Sequence, residues 1–124
     1  FKQKTAYEIL TCDWSSDVCS SDLELIRDAG SDNLYLQYDI YHMQVMEGDL
    51  ARTIESNLKL IPHMQLADNP GRNEPGTGEI NYAFLFEHID RIGYQGWIGC
   101  EYKPRTATDA GLGWIRPYLP TGGR

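Results

Sequence analysis

Apolar and polar positions in this chain change period several times, and each change marks an element. Residues 24–29 read as the closing turns of a helix, with Gly30 standing where a C-terminal cap belongs. Residues 33–38 (NLYLQY) are β-prone and end at Asp39, which opens a polar stretch, DIYHMQVMEGD. Leu50, Ile54, Leu58 and Ile61 then recur at spacings of four, four and three, predicting a helix over 50–61 closed by Pro62. A second strand is expected over 63–67. A further helix is expected from about residue 81, with Tyr82, Leu85, Phe86, Ile89 and Ile92 on one apolar face and Gly93 as its stop. Residues 96–101 (GWIGCE) make the third expected strand. Thr106 or Thr108 is placed to cap a last helix holding Ala110, Leu112, Trp114 and Ile115.

Three strands, each followed by a helix and joined by short connections, imply a parallel sheet with right-handed crossovers. The polar positions that end the strands are Asp39, Gln65 and Glu101, 26 and 36 residues apart. That spacing is close to the roughly 30 residues of a βα unit. If all three point into one mouth, the fold is part of a (β/α) barrel, whose active site gathers side chains from several strand ends. A full barrel takes about 250 residues, so three units make a fraction of one.

The stretch HMQLADNPGRNEPGTGEINY over 63–82 changes from a short apolar run into a polar, glycine-rich loop before a helix. Gln65, Asp68, Asn69, Arg72, Glu74 and Glu79 supply carbonyl, carboxylate and guanidinium groups over a short path. Pro70, Pro75, Gly71, Gly76 and Gly78 set the turns between them. Loops that follow barrel strands are where such folds carry their chemistry.

Composition narrows the class further. The chain has 124 residues, 41% of them hydrophobic, enough for one modest core and one domain. Its net charge of −7, with no basic stripe, argues against nucleic-acid binding, which depends on neutralising phosphates. No apolar run approaches the roughly 20 residues of a membrane helix, and the start lacks the apolar segment of a signal peptide. A soluble, cytoplasmic protein is expected, with no membrane partner. Cys12, Cys19 and Cys100 have neither disulfide-framework nor zinc-site spacing.

Residues 1–23, FKQKTAYEILTCDWSSDVCSSDL, keep no helical or strand period and are rich in Ser and Asp in their second half. They resemble the translated sequencing-adaptor sequence found at the ends of metagenome-derived reading frames. The expected organisation is therefore an adaptor-like, non-native leader over 1–23 and a barrel segment over 24–124. Residues from Glu24 onward remain acidic, with 14 acidic against 9 basic side chains.

Three motifs in order, QYDIYHMQ (37–44), HMQLADNPGRNEPGTGEINY (63–82) and GCEYKP (99–104), resemble the C-terminal part of the hydroxypyruvate isomerase and 2-oxo-tetronate isomerase family, within the xylose-isomerase-like TIM barrels. The likeness runs from about residue 34 to 118. It implies an α/β fold comprising the C-terminal three βα units of a TIM (β/α)8 barrel, an incomplete barrel. It also implies a metal-assisted isomerase of a small 2-oxo sugar acid, working by proton transfer through an enediolate without an organic cofactor. A 2-oxo-tetronate isomerase or related ketose epimerase is the alternative of the same kind. The resemblance assigns Asp39, Gln65 and Glu101 to a divalent metal, Mg²⁺ or Mn²⁺, and makes Glu101 one of two acid–base carboxylates. The other carboxylate belongs to a strand upstream of Glu24, so the fragment itself is expected to be inactive. An inert truncated fragment is the reading from a different class.

Each assignment has a plainer competitor. Asp39 after a strand is also an ordinary helix-start group. Gln65 could simply hydrogen-bond a neighbour, and Glu101 could pair with Arg72 or Lys103. His42, three residues past Asp39, could touch a substrate oxygen or pack against Tyr41. Arg72 matches a substrate carboxylate but could pair with Glu74 or Glu79. Lys103 is either substrate-proximal or a surface lysine, and His63 is expected to be structural. Tyr82, Phe84, Phe86, Trp97 and Trp114 are expected to pack helices against the barrel. An endonuclease-like phosphodiesterase of the same barrel class would need histidine-rich zinc sites and a basic surface, which three histidines and this acidic balance disfavour.

Overall fold

The computed structural model describes residues 8–11 and 19–119, with side chains from Asp22 onward. Four strands form one sheet in sequential order: β1 (Glu8–Thr11), β2 (Leu34–Asp39), β3 (His63–Leu66) and β4 (Trp97–Cys100). Every neighbouring pair is parallel. The helices between them are α1 (Cys19–Ala29), α2 (Ile40–Met46), α3 (Leu50–Ser56) and α4 (Tyr82–Arg91), and a short α5 (Thr108–Gly111) follows β4. A parallel sheet whose strands keep chain order is the geometry of a barrel wall, in agreement with the incomplete (β/α) barrel expected from sequence.

The two faces of the sheet differ because successive side chains point to opposite sides. Leu36 and Tyr38 of β2 and Met64 and Leu66 of β3 face the helices and are fully buried. They pack with Ile26 of α1, Ile40 and Met43 of α2, Ile54 of α3, and Leu85 and Ile89 of α4 into one core. The opposite face carries Gln37, Asp39, His63, Gln65, Trp97 and Gly99, which the register sets side by side: Gln37 beside His63 beside Trp97, then Asp39 beside Gln65 beside Gly99. This polar face is the wall that a barrel turns inward.

Several elements differ from the expectations. β1 adds a fourth strand, its Glu8 opposite Leu34 and its Thr11 opposite Gln37. It lies within the leader that resembles an adaptor, and α1 passes through residue 24 from its start at Cys19. Most of the leader, with Cys12, lies outside the described residues. The polar stretch after Asp39 is not a loop. Its Ile40 and Met43, three apart, bury one face of α2, and Gly48 and Asp49, with φ of +70° and +49°, end the segment.

The helix expected over 50–61 breaks after Ser56. Asn57 turns its side-chain amide back to the Thr53 carbonyl (2.9 Å) and accepts from Arg27 (3.1 Å), so a single 3₁₀ turn, Leu58–Leu60, leads to Ile61. At the C-terminus Ala107, not a threonine, precedes α5 and makes no side-chain cap. The expected last helix continues as the 3₁₀ segment Gly113–Tyr118, with Pro117 within it.

The aromatic residues divide. Tyr82 is buried, and Phe86, Trp114 and Tyr118 form a ring cluster on the helix side, with Phe86 and Trp114 stacked at 5.9 Å. Trp97 does not pack against helices: its parity in β4 sends it to the inward-facing wall, where it is 80% exposed. Phe84 is also exposed, lying over His88. No helix among the described residues is long and apolar enough to cross a membrane.

Candidate active site

Asp39 sits where β2 becomes α2 and serves both. One carboxylate oxygen, Oδ1, accepts the backbone N–H groups of Tyr41 (2.9 Å) and His42 (3.2 Å), capping the helix. The other, Oδ2, faces Arg72 at 3.9 Å and His42 Nε2 at 3.6 Å. The helix-start role and a role in the mouth are therefore compatible, since each uses a different oxygen. Burial pushes the Asp39 carboxyl above its ordinary value. The His42 amide, His42 and Arg72 pull it back, and Glu101 adds to the rise.

Gln65 lies beside Asp39 in register, and its Oε1 accepts from Gln37 Nε2 at 2.7 Å. Gln37, one layer deeper on the same face, was not singled out from sequence. Its signal was available, because residues two apart on a strand share a face. Glu101 follows β4 two residues beyond Gly99, the register partner of Gln65, and its backbone N–H donates to Leu66. Its side chain is 49% exposed, so burial is not what constrains it. His63 lies deeper, 3.3 Å from where a Cβ on Gly99 would stand.

Arg72 joins the strand ends. Its guanidinium donates to Glu101 Oε2 at 2.9 Å, lies 3.9 Å from Asp39 Oδ2, and sits over the Tyr41 ring at 5.5 Å. The pairing with Glu74 or Glu79 open from sequence is not the one adopted. Glu79 instead accepts from Asn69 and Gln44, and Glu74 accepts the Arg105 amide. Arg72 has φ +52°, a left-handed backbone that costs a branched-chain-free residue about 1 kcal/mol. Two further bonds, both at Lys103, tie this loop to the segment after β4. The Lys103 amide donates to the Arg72 carbonyl (2.8 Å), and Asn73 Nδ2 donates to the Lys103 carbonyl (2.7 Å). Lys103 thus helps shape the site through its backbone, while the residue itself is exposed.

The loop over 68–80 is organised around Asp68, which sequence reasoning named only as one polar group among several. This carboxylate is 1% exposed. Oδ2 accepts the amides of Gly76 (2.9 Å), Thr77 (3.0 Å) and Gly78 (2.9 Å), and Oδ1 those of Asn69 (2.9 Å) and Ile80 (3.1 Å). Five N–H groups around one buried carboxylate satisfy both the charge and a turn with few other partners. Gly78 is needed for close approach: a Cβ there would overlap the Asn69 carbonyl oxygen and lie 2.7 Å from Asp68 Oδ1. The Tyr82 hydroxyl donates to the Ala67 carbonyl (2.8 Å), pinning the start of α4 to the strand end, and burial holds its phenol well above the usual range.

Asp39, Gln65, Arg72, Glu101 and His42 are therefore brought together, and Lys103 borders them. Two carboxylates and an amide oxygen on adjacent strand ends form an all-oxygen donor set, which suits a hard divalent cation. Among the described residues no group of three His, Cys, Asp or Glu side chains is placed to hold a metal. An apolar cavity of about 250 Å³ lies on the other face of the sheet, lined by Leu66, Phe86, Ile98, Cys100 and Trp114. It does not open onto these residues.

The chain belongs to the xylose isomerase-like TIM barrel family, whose model matches residues 4–118. Among its relatives, hydroxypyruvate isomerase of Escherichia coli (strain K12) is 59% identical over 96 residues, covering 77% of this chain and 37% of the relative. The 2-oxo-tetronate isomerase of Cupriavidus necator is 50% identical over 95 residues, covering 77% and 36%. A solved structure described as AP endonuclease, family 2 from Brucella melitensis superposes with a TM-score of 0.77 at 42% identity, covering 82% of this chain and 39% of that one. The chain thus spans a little over a third of the length of each.

Proposed function

We propose that the protein carrying this segment is a metal-assisted isomerase that interconverts hydroxypyruvate and tartronate semialdehyde. The observation that supports this reading is the meeting of Asp39, Gln65 and Glu101 at three adjacent strand ends, with Arg72 between the carboxylates. In this reaction a proton leaves C3 of the 2-oxo acid, negative charge spreads over O2 and O3, and a proton returns to C2. The hydroxyl hydrogen passes from O3 to O2, so the atoms balance without any oxidant. Glu101, half exposed and hydrogen-bonded through Oε2 to Arg72, is the carboxylate assigned to one of the two carbon–proton transfers.

A bound Mg²⁺ or Mn²⁺, held by Asp39, Gln65 and Glu101, would supply stabilisation of the enediolate charge. Gln37 fixes which face of the Gln65 amide is presented, leaving one lone pair of Oε1 for a ligand. Arg72 and His42 are assigned to the substrate, Arg72 through a fork that fits a carboxylate, with Lys103 at the rim. No organic cofactor is needed for a shift of one proton. The partner is thus a small 2-oxo acid, not nucleic acid or a membrane, and the place of action is the cytoplasm.

A 2-oxo-tetronate substrate, or a ketose, would use the same groups, and loops beyond this segment would choose among them. The test is turnover of hydroxypyruvate and of 2-oxo-tetronate by the full-length protein with Mg²⁺ or Mn²⁺. Glu101→Gln should lower kcat by about 10²-fold or more, and activity unchanged in that variant would remove Glu101 from its role. We expect the 124-residue chain by itself to give no turnover, as it presents Trp97 and the wall around it to solvent.

A further inference from the structure

Arg72 occupies an unusual position for a group that is to grip substrate. One guanidinium nitrogen lies 2.9 Å from Glu101 Oε2 and 3.9 Å from Asp39 Oδ2, so the two carboxylates share a single cation. The guanidinium is four-fifths buried and rests over the Tyr41 ring at 5.5 Å. Its backbone is held in the left-handed region, with φ +52°, by the loop around Asp68 and by the Lys103 amide. The long side chain is thus launched from a fixed point and can change partners by rotating its own torsions.

We propose that Arg72 is a placeholder cation: it neutralises Asp39 and Glu101 when no metal is bound, and metal binding drives it off them toward the substrate carboxylate. This rests on the metal-site reading given above. A divalent ion and a guanidinium repel, and Arg72 lies against the two carboxylates that would hold the metal. Those carboxylates lose their attraction for Arg72 once a divalent cation neutralises them. The Tyr41 face offers the displaced cation an interaction that does not compete with the metal.

Mn²⁺ titration of the full-length protein, followed by calorimetry and by the loss of free-ion paramagnetic resonance, tests this without any turnover. Arg72→Met and Arg72→Gln remove the competing charge and should tighten Mn²⁺ binding by about tenfold, the repulsion between a unit and a double charge about 5 Å apart in a water-like medium. Arg72→Lys keeps the charge and should stay near the parent affinity. Unchanged or weaker Mn²⁺ binding in both neutral variants, with melting curves that show them folded, overturns the placeholder role while leaving the metal site in place. Equal tightening in Arg72→Lys overturns it as well, since charge would not be the cause. A parent protein that binds no Mn²⁺ overturns the metal reading itself.

Discussion

Replacing Asp68 by Asn should unseat the loop that delivers Arg72 while changing almost no volume. Oδ2 receives three backbone amides and Oδ1 two. An asparagine offers one oxygen, so its NH₂ group must face either the two or the three N–H groups on the other side. Those buried donors then lack an acceptor, and each hydrogen bond to a charged acceptor contributes about 1.5 kcal/mol or more. Two or three losses sum to about 3–5 kcal/mol, a large share of the roughly 5–15 kcal/mol that hold an ordinary domain together. Urea unfolding read by circular dichroism measures the global loss, and amide hydrogen exchange at Gly76, Thr77 and Gly78 locates it. Gly78→Ala, which forces a Cβ into the Asn69 carbonyl, should expose the same amides by a different route. An Asp68→Asn protein within about 1 kcal/mol of the parent, with protection at those three amides intact, would refute the view that this carboxylate organises the loop.

Two further outcomes concern buried polar groups. The raised Asp39 carboxyl favours the folded state most at pH below its ordinary value of 3.8, and that contribution is lost as pH rises through the folded value. Asp39→Asn can keep the cap on α2 through its amide oxygen and drop the desolvated charge, so it should flatten the pH dependence of urea midpoints between pH 4 and 7. Identical slopes in parent and variant would count against this. His88 is buried between α3 and α4, where Arg91 can only donate to Nδ1 (2.6 Å), so Nε2 carries the proton given to the Ala51 carbonyl (3.0 Å). His88→Phe leaves both partners unmatched and should cost about 1–3 kcal/mol by chemical denaturation, whereas an unchanged midpoint would mean the pair contributes nothing.

Local pattern sufficed for β2, β3, β4 and α4, because a buried face imposes its period on the residues that make it. Leu36 and Tyr38, Met64 and Leu66, and Leu85 and Ile89 are core positions that alternate or recur as their elements require. Asp39 and Glu101 stand where the apolar alternation of β2 and β4 stops, whereas Gln65 lies inside β3 and is set beside Asp39 by register. α2 was missed because its seven residues carry only Ile40 and Met43 as buried anchors, and Asp39 capping plus tertiary contact completes what propensity does not. Trp97 was misplaced because parity alone cannot say which face of a strand meets helices until its neighbours' register is known.

Periodicity and local motifs are properties of contiguous residues, so the βα repeat, the polar groups near the strand ends and the family resemblance could be read along the chain. Which charges meet came from the fold. Arg72 chose Glu101, 29 residues away, over Glu74 and Glu79 in its own loop, and Asp68 gathered amides from eight to twelve residues downstream. Such pairings depend on where a folded loop aims a side chain, and the parallel register of β2, β3 and β4 sets that aim from outside the loop's own sequence.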